Sequence, residues 1–202
     1  MDFNYLARQW DDSRRIERAK IISNEIRKNL GEVKLNKGLE FGCGTGLITF
    51  NLTDLFNDVT LIDISSEMIE VVNEKIEKFN LNNSKAISCD LMKSDNLEKY
   101  DCIYTSMAMH HIIDVEEILN RFHEVLNEKG KLCIVELNKD NGDFHKNEEG
   151  FNGHNGFSQK DLKNILEKYG FKNINSYTFY NSYKEVGCEK IEYSLFIIVA
   201  EK

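Results

Sequence analysis

A glutamate followed by three alternating glycines carries the clearest binding chemistry in the sequence. Residues 40–46 read Glu-Phe-Gly-Cys-Gly-Thr-Gly, so Glu40 stands ahead of Gly42, Cys43, Gly44 and Gly46. Glycine adopts backbone angles that a side chain forbids, and it lets a ligand lie against bare backbone. A carboxylate beside such a turn suits a cationic ligand and would repel a pyrophosphate. The spacing matches neither the G-x-G-x-x-G dinucleotide pattern nor the G-x-x-x-x-G-K-[ST] phosphate loop.

These glycines are predicted to lie on a turn between a strand and a helix. An apolar run from Val33 to Phe41 is short enough for a buried strand. After the turn, helical spacing relates Leu47, Ile48, Phe50, Leu52 and Leu55. The first N–H groups of such a helix can donate to a polar ligand, which predicts a nucleotide-type site at the end of a strand in an open α/β sheet. From this stretch alone, a tight turn without a ligand stays the alternative.

Two aspartates follow the next two predicted strands. Asp63 ends the strand Val59–Asp63, where a carboxylate can accept hydrogen bonds from both hydroxyls of a ribose. Asp90 follows the short strand Lys85–Cys89, where it could accept a hydrogen bond from an adenine amino group. The alternative for Asp90 is a helix cap or an acid in a solvated loop. The order of the glycine turn, Asp63 and Asp90 along the chain favours the binding site.

Two adjacent histidines, His110 and His111, follow the fourth predicted strand, Tyr100–Ser106. Neighbouring strand residues point to opposite faces, so the pair cannot hold one metal ion, and no metal site is predicted. One of them can act as a general base, because the pKa of histidine lies near neutral pH. We expect His110 to face the reacting molecule and His111 to pack or to bond the backbone. The alternative is that both histidines are structural.

Two polar segments are expected to cover the site. Residues 1–30 are predicted to be helical, with an apolar stripe that ends at Gly31, and are expected to form a cap. Within this cap, Tyr5 and Trp10 fit a place in the site and a place in the core equally well. Residues 138–157 are polar, contain several glycines and are long for a loop, which favours a lid.

The remaining pattern predicts one domain, residues 1–202, of alternating strands and helices. A helix capped by Ser66 follows the second strand, with its buried stripe at Met68, Ile69, Val72 and Ile76. Further helices are predicted at 115–127 and 158–169, with the strand Lys131–Leu137 between them. The last two strands, Asn173–Asn181 and Ile191–Ala200, are joined by a short link and are expected to pair antiparallel.

Composition restricts the classes of partner. The 202 residues include 41% hydrophobic and 30% charged side chains and carry a formal net charge of −8, so a nucleic-acid partner is not expected. The sequence has neither an 18-residue apolar run nor a signal peptide, so we expect no membrane partner and a cytoplasmic location. Five scattered cysteines without a C-x-x-C pair are expected to be free thiols. We expect a monomer or a homodimer.

Together, the glutamate and glycines, Asp63, Asp90 and the stretch Ser106–His111 resemble class I S-adenosylmethionine-dependent methyltransferases over nearly the whole chain. The resemblance implies an α/β fold: a Rossmann-like doubly wound sheet of about seven strands, mostly parallel with the last strand antiparallel, and helices on both faces. It also implies S-adenosylmethionine as cofactor and S-adenosylhomocysteine as product. The cofactor-binding residues that it implies are Glu40, Gly42, Cys43, Gly44, Gly46, Asp63, Ile64, Met68, Asp90, Leu91 and Ser106.

Three short motifs are similar to those of a small bacterial group of methyltransferases whose substrates are mostly unassigned. They are Trp-Asp near the start, His-His-Ile after the fourth strand, and Gly-His-Asn-Gly-Phe before the fifth helix. The turn after the fourth strand lacks the Asn/Asp-Pro-Pro-Tyr pattern of methyltransferases that act on DNA amino groups or glutamine side chains. The expected function is therefore methyl transfer to a small-molecule acceptor, with His110 or His111 catalytic. Acceptor contacts are expected from Tyr5, Trp10, Glu136, His154 and Phe157. The alternative is a protein of this fold that binds the cofactor as a sensor or assembly partner, without turnover.

Overall fold

The computed structural model describes residues 3–31, 33–94, 98–148, 150–186 and 189–202. Within these ranges, five α-helices accompany the strands of one sheet. The helices are α1 Phe3–Leu6, α2 Ser13–Leu30, α3 Ser66–Phe79, α4 Val115–Val125 and α5 Gln159–Lys168. The strands are β1 Leu35–Phe41, β2 Phe56–Asp63, β3 Ser84–Ser88, β4 Tyr100–Ser106, β5 Leu126–Leu137, β6 Lys172–Val186 and β7 Glu189–Glu201.

The seven strands of the described chain form a single sheet in the order β3-β2-β1-β4-β5-β7-β6. The strands from β3 to β5 pair in parallel, whereas β7 is antiparallel to both β5 and β6. This arrangement confirms the predicted α/β fold with a mostly parallel sheet and a closing antiparallel strand.

Helices cover both faces of the sheet. Apolar side chains of α2 and α3 pack in one core, and those of α4 and α5 pack in the other. The predicted stripe of α2 is buried at Ala19, Ile22, Ile26 and Leu30, and Gly31 caps the helix as expected.

The strand order reverses between β1 and β4. In open α/β sheets, ligands bind at such a switch point, outside the carboxyl ends of the strands. Here the turns that follow β1 and β4 come close together. A Cβ atom on Gly42 would lie only 2.4 Å from the Cβ of Ala108, which is too close for a side chain. Glycine at position 42 therefore lets the two turns meet at the site.

The segment after the glycine turn differs from its prediction. Two 3₁₀ turns, Thr49–Asn51 and Thr53–Leu55, replace the expected α-helix. Between them the backbone leaves helical geometry at Leu52, where φ is −126°. The apolar residues Ile48, Leu52 and Leu55 are still buried. Their spacing therefore indicated burial correctly but did not indicate the type of turn.

Several other boundaries differ from their predictions, among them the starts of β2, at Phe56 rather than Val59, and of β5, at Leu126 rather than Lys131. Ser65, rather than Ser66, caps α3, because its side-chain oxygen accepts a hydrogen bond from the Met68 N–H at 3.2 Å. Helix α4 ends at Val125 because the chain enters β5 directly at Leu126. Cross-strand pairs continue as far as Val186 and Glu189, so β6 and β7 are longer than the predicted strands 173–181 and 191–200.

Residues 138–157 form an anchored loop. Among those described, none belongs to a helix or to a named strand. Backbone hydrogen bonds of 3.0 Å join Lys139 to Phe157 and Asp140 to Asn155, which close the base of the loop.

Across the described ranges, no helix combines the length and the apolar character needed to cross a membrane. Cys43, Cys89, Cys102 and Cys133 are free thiols, as expected. Cys188 lies outside the described residues.

Candidate active site

An open cleft, called the main cleft here, lies at the carboxyl ends of β1, β2 and β4. Its wall includes Glu40, the turn 42–45, Asp63 and Ser106, and it encloses about 1070 Å³ of unfilled space. The N-terminal segment covers it with Phe3, Trp10, Arg15 and Arg18. The cleft thus brings together most of the predicted cofactor-binding residues.

Glu40 brings a buried carboxylate to the main cleft. Burial raises its pKa to about 8, against hydrogen bonds from Thr49 that favour the charged form. Oε2 accepts the Thr49 N–H at 3.3 Å and the Thr49 hydroxyl, which lies 2.6 Å from the hydroxyl of Tyr104. No basic side chain of the described residues contributes to the pKa of Glu40. A buried acid without a cation beside it fits a ligand that brings its own positive charge.

The glycine turn is held in a shape that only glycine adopts easily. Gly42, Gly44 and Gly46 have φ values of +65°, +51° and +80°. A Cβ on Gly44 would point into the covered end of the cleft, with its nearest neighbour, Trp10 Nε1, 3.8 Å away. Gly46 shapes the turn from behind, since a Cβ there would lie 2.9 Å from the ring of Phe50.

Asp63 is tied to the glycine turn. Its Oδ2 accepts the Gly44 N–H at 2.8 Å, and its Oδ1 accepts the Ser65 N–H at 2.9 Å. Burial raises the pKa of Asp63, although these two bonds act against the rise. The N–H groups that were expected to be free after the glycines are therefore partly used, by Asp63 and Glu40. A carboxylate has about four lone-pair sites, so Asp63 can still accept hydrogen bonds from a ligand.

Some of the other residues predicted to bind the cofactor line the main cleft, and others do not. Ile64, Met68 and Ser106 lie in the wall of the main cleft. Asp90 instead caps its own turn, where it accepts the Met92 N–H at 3.1 Å and pairs with Lys93 at 2.8 Å. Leu91 is buried in the core. Cys89, which precedes Asp90 and Leu91 in the sequence, lines the cleft in their place.

The two histidines differ in their access to the main cleft, although both line a second cavity beside it. Met109–His111 form a 3₁₀ turn, so the alternation of a strand does not apply to them. His110 is 2% exposed, and its Nδ1 lies 3.0 and 2.9 Å from the two carboxylate oxygens of Glu136. The His110 N–H also donates to Glu136 at 3.2 Å. Burial raises the pKa of Glu136, but His110 holds it below its usual value.

His111, rather than His110, lies in the wall of the main cleft. Its ring meets that of Phe3 edge-on, with 5.1 Å between the ring centroids. Burial lowers the pKa of His111 to about 4, with further contributions from His110 and His145. The imidazole is therefore neutral near pH 7 and is a weak base.

A second cavity adjoins the main cleft at His111. It holds about 1590 Å³ of unfilled space, part of which is open to solvent, and its wall includes Arg14, Arg18, His110, His145, Tyr180 and Tyr193. His145 is 5% exposed and stacks on Phe151, with the ring centroids 3.8 Å apart. Its Nδ1 lies 3.0 Å from Glu148, yet within the described chain neither ring nitrogen makes a hydrogen bond of good geometry.

Of the five predicted acceptor contacts, only Trp10 lines these two spaces as the structure describes them. Tyr5 is 80% exposed, and Glu136 is buried against His110. His154 holds the loop to the histidine turn, since its N–H donates to the His110 carbonyl at 2.7 Å and its Nε2 lies 2.9 Å from the Ile112 carbonyl. Phe157 packs against the core instead.

Sequence reasoning overlooked the residues that fasten the N-terminal segment. Asp11 accepts hydrogen bonds of 2.5 Å from the Thr45 hydroxyl and from Lys75, and Lys75 also donates to the Thr45 carbonyl at 2.8 Å. Asp11 follows Trp10 directly, which was the available signal. The contact fixes Trp10 over the glycine turn.

The family of the chain follows from a match to a known domain. A family profile described as a methyltransferase domain matches residues 13–176, which include the glycine turn, Asp63 and both histidines. The chain belongs to the class I S-adenosylmethionine-dependent methyltransferases. An uncharacterized methyltransferase from Schizosaccharomyces pombe is 31% identical over 150 residues, which make up 67% of this chain and 53% of the relative. This methyltransferase chain thus spans about half the length of that relative.

Two further relatives are similar over more of their length. An uncharacterized methyltransferase from Oceanobacillus iheyensis is 25% identical over 182 residues, which make up 81% of this chain and 84% of the relative. The crystal structure of an S-adenosylmethionine-dependent methyltransferase from Aquifex aeolicus has a TM-score of 0.71 at 20% identity and covers 98% and 97% of the two chains. At that identity, the likeness shows the methyltransferase fold alone.

Proposed function

We propose that this chain transfers a methyl group from S-adenosylmethionine to a small-molecule acceptor and releases S-adenosylhomocysteine. The observation that carries this proposal is the carboxylate of Glu40, buried without a cation beside a turn of left-handed glycines. The methionine part of the donor has an ammonium group that would neutralise this carboxylate. Glu40 is thus assigned to the ammonium group.

The remaining donor contacts follow from the wall of the main cleft. Asp63 is assigned to the ribose hydroxyls, since two backbone N–H groups hold its carboxylate in place at the end of β2. Ile64, Met68 and Cys89 are assigned to the adenine, because they line the cleft beside Asp63. Asp90 and Leu91 have no assigned contact, because the first is paired with Lys93 and the second is in the core.

Bound S-adenosylmethionine supplies a methyl carbon that its sulfonium already activates. The task of the protein is then to align the acceptor atom, the methyl carbon and the sulfur, which can contribute roughly 7–11 kcal/mol. His111 lies where the main cleft meets the second cavity, so it is assigned to a hydrogen bond that orients the acceptor. Because its pKa is about 4, it is suited to orientation better than to strong proton abstraction.

The second cavity is assigned to the acceptor, and two segments are assigned to its closure. The N-terminal segment would act as a cap, since Phe3 and Trp10 line both spaces. The loop 138–157 would act as a lid, since Phe144 and His145 line the second cavity. A cytoplasmic location and a monomer or homodimer remain predictions from composition.

The test is a methyl-donor assay. The purified chain is incubated with S-adenosylmethionine and a metabolite library, and release of S-adenosylhomocysteine is measured. We expect release that depends on one class of small molecule and that is lost in Glu40→Ala. Tight binding of S-adenosylmethionine without turnover on any acceptor would favour the sensor or assembly role. Absence of binding would overturn both functions.

A further inference from the structure

Three arginines crowd the first turns of α2, where they face the second cavity. Arg14, Arg15 and Arg18 all line it, and the positive charges of Arg14 and Arg18 lower the pKa of Arg15, which burial lowers most. Like charges four residues apart on a helix are destabilising, so this arrangement has a cost. Asp12 offsets part of it by pairing with Arg15.

Arg18 combines partial burial with a charge that no acid neutralises in the described part of the chain. Its side chain is half-buried, and within the described ranges no carboxylate pairs with it. Its one described hydrogen bond goes to a neutral group, the hydroxyl of Tyr193, at 3.4 Å. Arg18 lines both spaces, but Tyr193 and Tyr180 line only the second cavity, so this bond directs the guanidinium toward the second cavity.

The acids of the second cavity are either paired or at the rim. Asp12 is bound to Arg15, and Glu148 is bound to Lys184 at 3.0 Å. Glu17 and Glu185 are exposed to solvent. A half-buried guanidinium therefore lies among aromatic rings without its own counter-ion, in a chain whose net charge is −8. Guanidinium groups bind carboxylates and phosphates through paired N–H donors.

We propose that the methyl acceptor carries an oxyanion, a carboxylate or a phosphate, that binds Arg18 in the second cavity. This proposal rests on the proposed function, because it takes the second cavity as the place of the acceptor. The hydroxyl of Tyr193 is positioned to share the anion with Arg18. The rings of Phe3 and Trp10 line the same cavity and contact each other, and Phe3 also contacts His111, so they would pack on the body of the acceptor.

The test compares small aromatic probes that carry an anionic or a neutral head group. Benzoate, phenyl phosphate and neutral benzamide are titrated by NMR into the wild-type chain, with and without S-adenosylhomocysteine. We expect at least one anion to bind roughly tenfold more tightly than benzamide, because a charged hydrogen-bond pair is lost in the amide. The stronger of the two anions identifies the group as carboxylate or phosphate. Equal affinity for all three probes would overturn the proposal.

Variants separate this site from the donor site. Arg18→Gln should remove the preference for the anion, and Arg18→Lys should keep part of it. Arg27→Gln, on the same helix and paired with Asp54, is the control that should change nothing. If Arg18→Gln weakens the binding of S-adenosylhomocysteine as much as the binding of the anion, Arg18 holds the carboxylate of the donor and the proposal is wrong. If wild-type chain binds the anion but not S-adenosylhomocysteine, the proposed function fails while the anion site stands.

Discussion

Glu40 links the binding of the donor to a proton. With a pKa of about 8, most of its carboxyl groups are protonated at pH 7 in the free protein. Neutralising an ammonium group requires the charged form, so binding of S-adenosylhomocysteine at pH 7 should release close to one proton. Calorimetry in buffers of different ionisation enthalpy measures this number. Glu40→Gln should release none, and an equal release in that variant would remove Glu40 from the ammonium site.

The same group should make the free protein less stable as the pH rises. The pKa of Glu40 is raised on folding, so the folded state holds a proton that the unfolded state loses above about pH 4.5. Stability should therefore decrease between about pH 4.5 and 8. Urea unfolding of the free protein at pH 5 and pH 8.5 should show a larger loss for wild type than for Glu40→Gln. Parallel losses in the two proteins would mean that other groups set the pH dependence.

Substitutions of the two histidines should affect different properties, stability for His110 and turnover for His111. His110→Ala leaves the buried carboxylate of Glu136 with backbone N–H donors only, which should cost about 1–3 kcal/mol in the free energy of unfolding. His111→Ala should change stability little and should lower turnover by roughly 10–100-fold, through the loss of one hydrogen bond. Urea unfolding and the methyl-donor assay measure the two effects. A stable His110→Ala protein with lost turnover would restore the orientation expected from strand alternation.

Single residues were predictable where one local pattern determined their place. Glu40, Gly42, Gly44 and Asp63 occupy the expected wall because strand ends and glycine turns are local features. Asp90 instead takes the local role that was its alternative, because it caps its own turn and pairs with Lys93, three residues on. His110 was expected to face the reacting molecule, but Glu136 on a neighbouring strand holds its ring. Arg18 was overlooked because its lack of a counter-ion is visible only once the fold places the acids.

At the scale of elements, the N-terminal segment depends on a small polar anchor. Asp11→Ala removes the bonds to Thr45 and Lys75 that hold this segment over the glycine turn. Affinity for S-adenosylhomocysteine should decrease by up to about tenfold, since a partly buried charged pair is lost. Trp10 is the only tryptophan of the sequence, so its emission should shift to the red when the segment loosens.

Arg8→Ala provides the matched control for this anchor. Arg8 belongs to the same segment, but its pair with Glu74 is exposed, and solvent screening leaves exposed pairs with little effect on stability. Affinity and emission should stay near wild type. Equal effects of the two substitutions would mean that the segment as a whole, and not Asp11, sets the affinity.

Helices and strands were predicted correctly where the spacing of apolar residues matched both the secondary structure and the buried side chains. The strand Tyr100–Ser106 and the stripe of α2 follow directly from apolar spacing. The stretch after the glycines has helical spacing but forms 3₁₀ turns, because the N–H groups of Asn51 and Leu52 donate to carbonyls three residues back rather than four. Spacing reports which residues are buried, whereas such competing hydrogen bonds decide the local geometry.

At the scale of the whole molecule, ligand binding should increase the stability of the folded protein. A ligand that binds only the folded state at 100 times its Kd stabilises it by about 2.7 kcal/mol. For a chain of this size, that corresponds to an increase in Tm of roughly 5–11 °C. Thermal unfolding with S-adenosylhomocysteine measures it.

Two glycine variants test whether this stabilisation comes from the main cleft. Gly44→Val and Gly150→Val place the same side chain at left-handed φ angles of +51° and +74°, so both should lower the Tm of the free protein. Only Gly44 faces the cleft, whereas a Cβ on Gly150 would meet nothing within 4 Å. Gly150→Val should therefore keep the increase in Tm with S-adenosylhomocysteine, and Gly44→Val should lose it. If Gly44→Val keeps the full increase, the ligand does not lie against the glycine turn, because a branched side chain there would occupy its path.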